Sequence, residues 1–192
     1  MRAPESRNDE TMKATTYLIS RAIAALCLLA TAACVAEDSP AADDTTLVEI
    51  GQTAPDFTVE MTKGGDVTLS DLRGRAVLLT FWSSECSVCR AEMAVVQERI
   101  IDRFADERFT YLPVSRGADR ETIEEFCRQN GYTFPVGLDP DRSIYGMYAT
   151  RYVPRSFLID ADGKIIMSAV EYETDYLDVI AEEIEKYLRK IG

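Results

Sequence analysis

Histidine is missing from this 192-residue chain altogether. Its absence removes Cys-His nucleophile pairs, histidine metal sites and histidine haem ligation. Basic side chains are scarce beside acidic ones, 21 Lys and Arg against 33 Asp and Glu, and the net charge of −12 argues against nucleic acid as a partner. Long apolar runs are lacking too: the stretch Ala22 to Ala33, interrupted by Thr31, is too short to cross a bilayer comfortably. There are only five cysteines, Cys27, Cys34, Cys86, Cys89 and Cys127. With no second Cys-x-x-Cys and no histidine, a zinc site lacks its further ligands, so no metal is expected. The length suits one well-packed domain rather than two.

The apolar stretch follows Lys13 and Arg21 and has the length of the apolar core of an export signal. Met12 is a natural start for such a signal, since the residues before it include Glu5, Asp9 and Glu10. The signal ends in Leu28-Leu29-Ala30-Thr31-Ala32-Ala33-Cys34, which resembles the lipobox of bacterial lipoproteins, although Thr31 stands where Leu is usual. That resemblance implies lipidation of Cys34; ordinary cleavage leaving Cys34 as a free thiol is the alternative. The following residues, Glu37 to Thr46, are small and acidic and read as a disordered tether. The expected organisation is therefore an export signal over 1–33, a tether over 34–46 and one folded domain over 47–192.

In that domain the run Ala76 to Trp82 reads as a buried strand, and the residues after Cys86-Ser87-Val88-Cys89 recur at helical spacing as far as about Asp106. The two cysteines therefore fall where a strand hands over to a helix N-terminus, whose open N–H groups and dipole favour a thiolate. Phe57–Met61 and Asp66–Leu69 flank Gly64-Gly65 as a hairpin, and Ser70 to Gly74 reads as one helical turn. Further strands are expected over Phe109–Val114, Phe134–Leu138, Arg155–Asp160 and Lys164–Val170. Helices are expected over Arg120–Gln129 and Asp141–Tyr148, with a last one from about Thr174 whose stripe is Leu177, Ile180, Ile184, Leu188 and Ile191. The order predicts an α/β fold, a mixed sheet with helices on both faces and an N-terminal β-hairpin.

Four segments match one family pattern in order: Gly51 to Phe57, Leu69 to Arg75, Phe81 to Met93 around the two cysteines, and Val153 to Asp160. On these the chain resembles the TlpA/ResA-like thiol-disulfide oxidoreductases, thioredoxin-fold proteins of the bacterial envelope related to AhpC/TSA. The resemblance implies an exposed nucleophilic Cys86, a buried resolving Cys89, and a disulfide between them under oxidising conditions. It implies a cis Pro154 facing that disulfide and an acidic Glu92 near the site, with Trp82, Val153 and Arg155 placed to meet substrate. Implied partners are protein thiols and disulfides and a membrane thiol-electron donor, with the membrane reached through the lipid anchor. No cofactor is implied. The implied direction is reduction, with apocytochrome c thiols among the candidate substrates. The chain departs from the pattern in Ser87-Val88 between the cysteines, in Glu85 before them and in Arg155 after the proline.

Glu92, three residues after Cys89 on the same helical face, can serve as general base for its thiol or simply be a solvated carboxylate near a helix start. Cys127 shares an inner face with Ile123 and Phe126 and reads as a small core residue. Two rival functions stand beside thiol-disulfide exchange. A peroxiredoxin-like peroxidase is suggested by Ser83-x-x-Cys86, but Leu79 occupies the place of the loop proline such enzymes carry. The other is a redox-inert binding module.

Overall fold

The computed structural model describes residues 44–170 and 176–191, all within one compact unit, Asp43–Gly192. The export-signal segment, Cys27, Cys34 and the tether through residue 43 lie outside the described residues. Among those described, no helix is long and apolar enough to cross a membrane.

The strands are β1 (Thr58–Met61), β2 (Asp66–Thr68), β3 (Ala76–Trp82), β4 (Phe109–Arg116), β5 (Gly137–Asp139), β6 (Arg155–Ile159) and β7 (Ile165–Val170). They form one mixed sheet in the order β2-β1-β5-β4-β3-β6-β7. All seven residues of β3 are buried, as a strand covered on both faces requires, and its continuous apolar run follows from that. It pairs parallel with β4, Leu78 opposite Tyr111, and antiparallel with β6, Thr80 opposite Ser156 and Phe81 opposite Arg155. The expected hairpin is present, with Val59 opposite Val67.

Among the described residues three α-helices follow the strands: α1 (Ser87–Val96), continued by a π-type turn over Gln97–Asp102, α2 (Arg120–Asn130) and α3 (Tyr176–Ile191). The Asp119 carboxylate caps α2 by accepting the Thr122 N–H at 2.9 Å, and Gly131 ends it at φ 72°, the left-handed stop that glycine adopts without a Cβ penalty. Cys89 and Met93 of α1, Ile123 and Cys127 of α2, and Ile180 and Ile184 of α3 share one core cluster with Leu78, Trp82 and Leu158. All three α-helices therefore cover the same sheet face. Successive right-handed crossovers from β3 to β4 to β5 step in one direction and keep their helices on one side.

The opposite face is covered by 3-10 turns at Leu69–Leu72 and Tyr145–Met147 and by Val48, Ala54 and Phe57. Helical cover on both faces is thus unequal. The helix expected over Asp141–Tyr148 shrinks to its 3-10 turn because buried Asp139 accepts the Ile144 and Tyr145 N–H groups with its side chain and bends the chain around itself. The strand expected from Phe134 begins only at Gly137; Pro135 has no N–H for a ladder, and the Val136 N–H goes to Thr62 Oγ1 at 3.0 Å. Ile191, placed in the buried stripe of α3, is 40% exposed at the helix end.

The folded domain also starts earlier than Leu47. Buried Arg155 donates to Thr45 Oγ1 at 2.7 Å, to Thr46 Oγ1 and to the Arg151 carbonyl, and the Thr45 carbonyl accepts the Thr150 N–H at 2.9 Å. These contacts make Thr45 and Thr46 part of the domain rather than of the tether. A buried guanidinium that loses its acceptors costs more than an ordinary lost hydrogen bond. A chain beginning at Leu47 is expected to unfold at lower urea concentration than one beginning at Asp43, by about 2–3 kcal/mol of stability. Equal urea midpoints would show that Arg155 finds other partners.

Candidate active site

Cys86 occupies the N-cap of α1: its sulfur accepts the Cys89 N–H at 3.1 Å. Its thiol in turn donates to the Val153 carbonyl at 3.6 Å. The Val153-Pro154 bond is cis, as the resemblance implied. Two chain segments 67 residues apart thus meet at one sulfur, because β3 and β6 are hydrogen-bonded neighbours and both point their ends at the site. Cys86 is half-buried while Cys89 is fully buried, and both are free thiols.

Burial pushes the Cys89 thiol well above its ordinary range, helped by a hydrogen bond with the Cys86 sulfur and by the negative charges of Cys86 and Glu92; only the Ser83 backbone acts the other way. A thiol so held stays protonated at neutral pH and needs a base before it can attack. Glu92 lies one turn further along α1 and is only 5% exposed, so the reading of a solvated carboxylate does not describe it. Burial, then the Glu92 charge, push the Tyr111 hydroxyl up as well. Tyr111 reaches the Met93 sulfur at 3.7 Å, and Thr80 and Ser156 exchange a buried hydrogen bond of 2.7 Å between β3 and β6. Cys89, Glu92, Tyr111, Thr80 and Ser156 therefore form a polar patch within an apolar face. A visible trace of it in the sequence is Thr80, a hydroxyl inside an otherwise apolar run.

Two residues expected to meet substrate are placed elsewhere. Trp82 is fully buried beneath the active-site loop, its ring 5.5 Å from that of Phe126; side chains alternate along β3, and this position faces the helices. Arg155 is also fully buried. Being opposite Phe81, it projects to the sheet face away from Cys89 and Glu92 and spends its donors on Thr45, Thr46 and Arg151. Neither side chain is presented to a docking protein. Val153 is half-buried, with its carbonyl beside the Cys86 sulfur. Cys127 is buried in the core cluster, as its sequence position suggested, and burial pushes its thiol up.

A central mixed sheet, a Cys-x-x-Cys at a helix N-terminus and a cis-proline facing its first sulfur define a thioredoxin-like dithiol protein. The sequence profile of the AhpC/TSA family matches residues 50–168, and the chain belongs to that family. The thiol-disulfide oxidoreductase ResA of Bacillus thuringiensis is 32% identical over 144 residues, 75% of this chain and 79% of the relative. A protein of Bacteroides thetaiotaomicron, described as a candidate protein disulfide isomerase, superposes with a TM-score of 0.71 at 36% identity, over 76% of this chain and 93% of that one. The exposed lipoprotein thioredoxin of Streptococcus pneumoniae does so with a TM-score of 0.60 at 25% identity, over 69% and 99%. Thiol-disulfide exchange, for which the ResA relatives are named, is the chemistry that the two free cysteines are arranged to perform.

Alkylation of the reduced protein is expected to modify Cys86 at least about tenfold faster than Cys89, with the Cys89 rate rising steeply with pH because only its thiolate reacts. Mass mapping of partially alkylated protein checks this, and modification of Cys89 first would reverse the roles. Glu92→Gln is expected to slow decay of a trapped Cys86 mixed disulfide by roughly 100-fold near neutral pH, the scale of a lost general base. An unchanged decay rate would leave Glu92 with no part in the resolving step.

Proposed function

We propose that this chain is an envelope reductase of protein disulfides that passes electrons from a membrane thiol donor to substrates outside the cytoplasm. The observation that carries the reading is the asymmetry of the pair: an accessible Cys86 beside the Val153 carbonyl, and a buried, protonated Cys89 backed by Glu92. Cys86 thiolate attacks one sulfur of a substrate disulfide, forming a mixed disulfide and releasing the other substrate sulfur, which takes up a proton. Glu92 then accepts the Cys89 proton, and Cys89 attacks the Cys86 sulfur. The Cys86–Cys89 disulfide forms, the substrate leaves as a dithiol, and two electrons have moved to it. A donor dithiol reverses these steps to restore the protein.

An extended substrate segment can lie along the Val153 backbone, as in strand addition to a sheet edge. Apocytochrome c, with its haem-attachment cysteines joined in a disulfide that must be reduced before haem is added, is the candidate substrate. The name of the pneumococcal structural relative, an exposed lipoprotein, supports the reading of Cys34 as lipidated. Several acyl chains would be needed there, because a single one holds a protein to a membrane only marginally.

Two variants test the proposal in cells. Cys86→Ser is expected to abolish disulfide reduction while leaving the protein at the membrane. Cys34→Ala is expected to release it to the soluble envelope fraction with dithiol reductase activity intact. Retention of the Cys34→Ala protein on the membrane would make the uncleaved segment 22–33 the anchor instead.

A further inference from the structure

The loop entering Val153-Pro154 carries a feature that thiol exchange does not use. Tyr152 sits at φ 68°, a left-handed conformation that bulky residues rarely adopt, and remains 43% exposed. It is held from beneath: the Tyr145 hydroxyl donates to the Tyr152 carbonyl at 2.8 Å, and the Tyr145 ring packs edge-on against Phe81 with centroids 5.3 Å apart. The Arg116 guanidinium covers the Tyr145 ring at 4.4 Å, and that of Arg151 lies 5.2 Å from the Tyr152 ring. Two arginine–tyrosine pairs, Arg116 on Tyr145 and Arg151 on Tyr152, joined by the Tyr145 hydroxyl, thus end one residue before Val153, whose carbonyl meets the Cys86 sulfur.

These two arginines differ from six others in the domain. Arg99, Arg103, Arg108, Arg120, Arg128 and Arg189 each meet a carboxylate. Arg116 and Arg151 meet ring faces and, among the described residues, no carboxylate, in a chain with 33 acidic side chains. Stacking on a ring leaves the N–H fork of a guanidinium available, and that fork matches a carboxylate in two-point geometry. Arg151 is exposed, so its fork is open to an incoming chain.

We propose that Arg151 and Tyr152 form a specificity subsite for an acidic side chain of the substrate, within one or two residues of the cysteine that Cys86 attacks. The inference rests on the reductase reading above and adds a substrate preference to it. An extended substrate along Val153 advances about 3.3 Å per residue, which brings its near neighbours on one side against this pair. The overall negative charge of the protein does not cancel the contact, because fields from distant carboxylates are screened over about 8 Å at physiological ionic strength.

The test uses two peptide disulfides of identical composition and net charge, one with Glu two residues before Cys and Lys two residues after it, the other reversed. At about 0.15 M salt, one isomer is expected to be reduced with a kcat/KM about 3- to 10-fold above the other, the scale of an exposed charge pair made favourable in one and unfavourable in the other. Arg151→Ala is expected to bring the ratio towards 1, Tyr152→Ala to lower it, and Arg151→Glu to invert it. Equal rates in the unmodified protein, or a ratio that Arg151→Glu leaves unmoved, overturns the subsite. Failure of the unmodified protein to reduce either peptide or neutral hydroxyethyl disulfide overturns the reductase reading itself.

Discussion

The hydrogen-bonding of β3 on both edges is the constraint on which the site depends. Because β3 is clamped between β4 and β6, its C-terminal end and the start of β6 are fixed side by side. The first turn of α1 leaves one, and the Val153-Pro154 peptide leads into the other. The sulfur of Cys86 sits where these two ends meet, with the Val153 carbonyl at 3.6 Å. Burial of all seven β3 residues gives the register little freedom, since a one-residue slip would turn every side chain to the wrong face.

That register also separates the charges. Thr80 and Ser156 face the α-helices, beside Cys89 and Glu92; Phe81 and Arg155 face the other way. The sheet therefore stands between the buried carboxylate at the active site and the buried guanidinium that ties down residues 45–46. Each polar group is committed on its own side. The Glu92 charge consequently acts on Cys89 and Tyr111, pushing both upward, while Arg155 serves as a clasp between the entry of the chain and the loop before the cis-proline.

Much of this was legible along the chain. The Cys-x-x-Cys between an apolar run and a helical pattern located the reactive pair, and the four matched segments implied both the fold and the cis-proline. Elements with local causes emerged nearly as expected: the Gly64-Gly65 hairpin, the helix from Arg120 to the Asn130-Gly131 stop, and β3 itself. The misreadings share one origin. Asp141–Tyr148 has a helical pattern, but the side chain of Asp139, outside it, captures its N–H groups. Arg155 and Trp82, expected to meet substrate, are both buried once strand pairing sets the face to which each points.

Local chemistry, namely the apolar periodicity of β3 and α1, the spacing of the cysteines and the turn dipeptides, was determined by the sequence by itself, because each depends on residues within a few positions of one another. That Glu92 is buried behind Cys89 rather than solvated, and that Arg155 is clasped rather than presented, were decided only by the tertiary structure. These properties arise from pairings across 67 to 110 residues, and the parity of a strand register, which assigns each side chain to one face of the sheet, exists only once the strands have met.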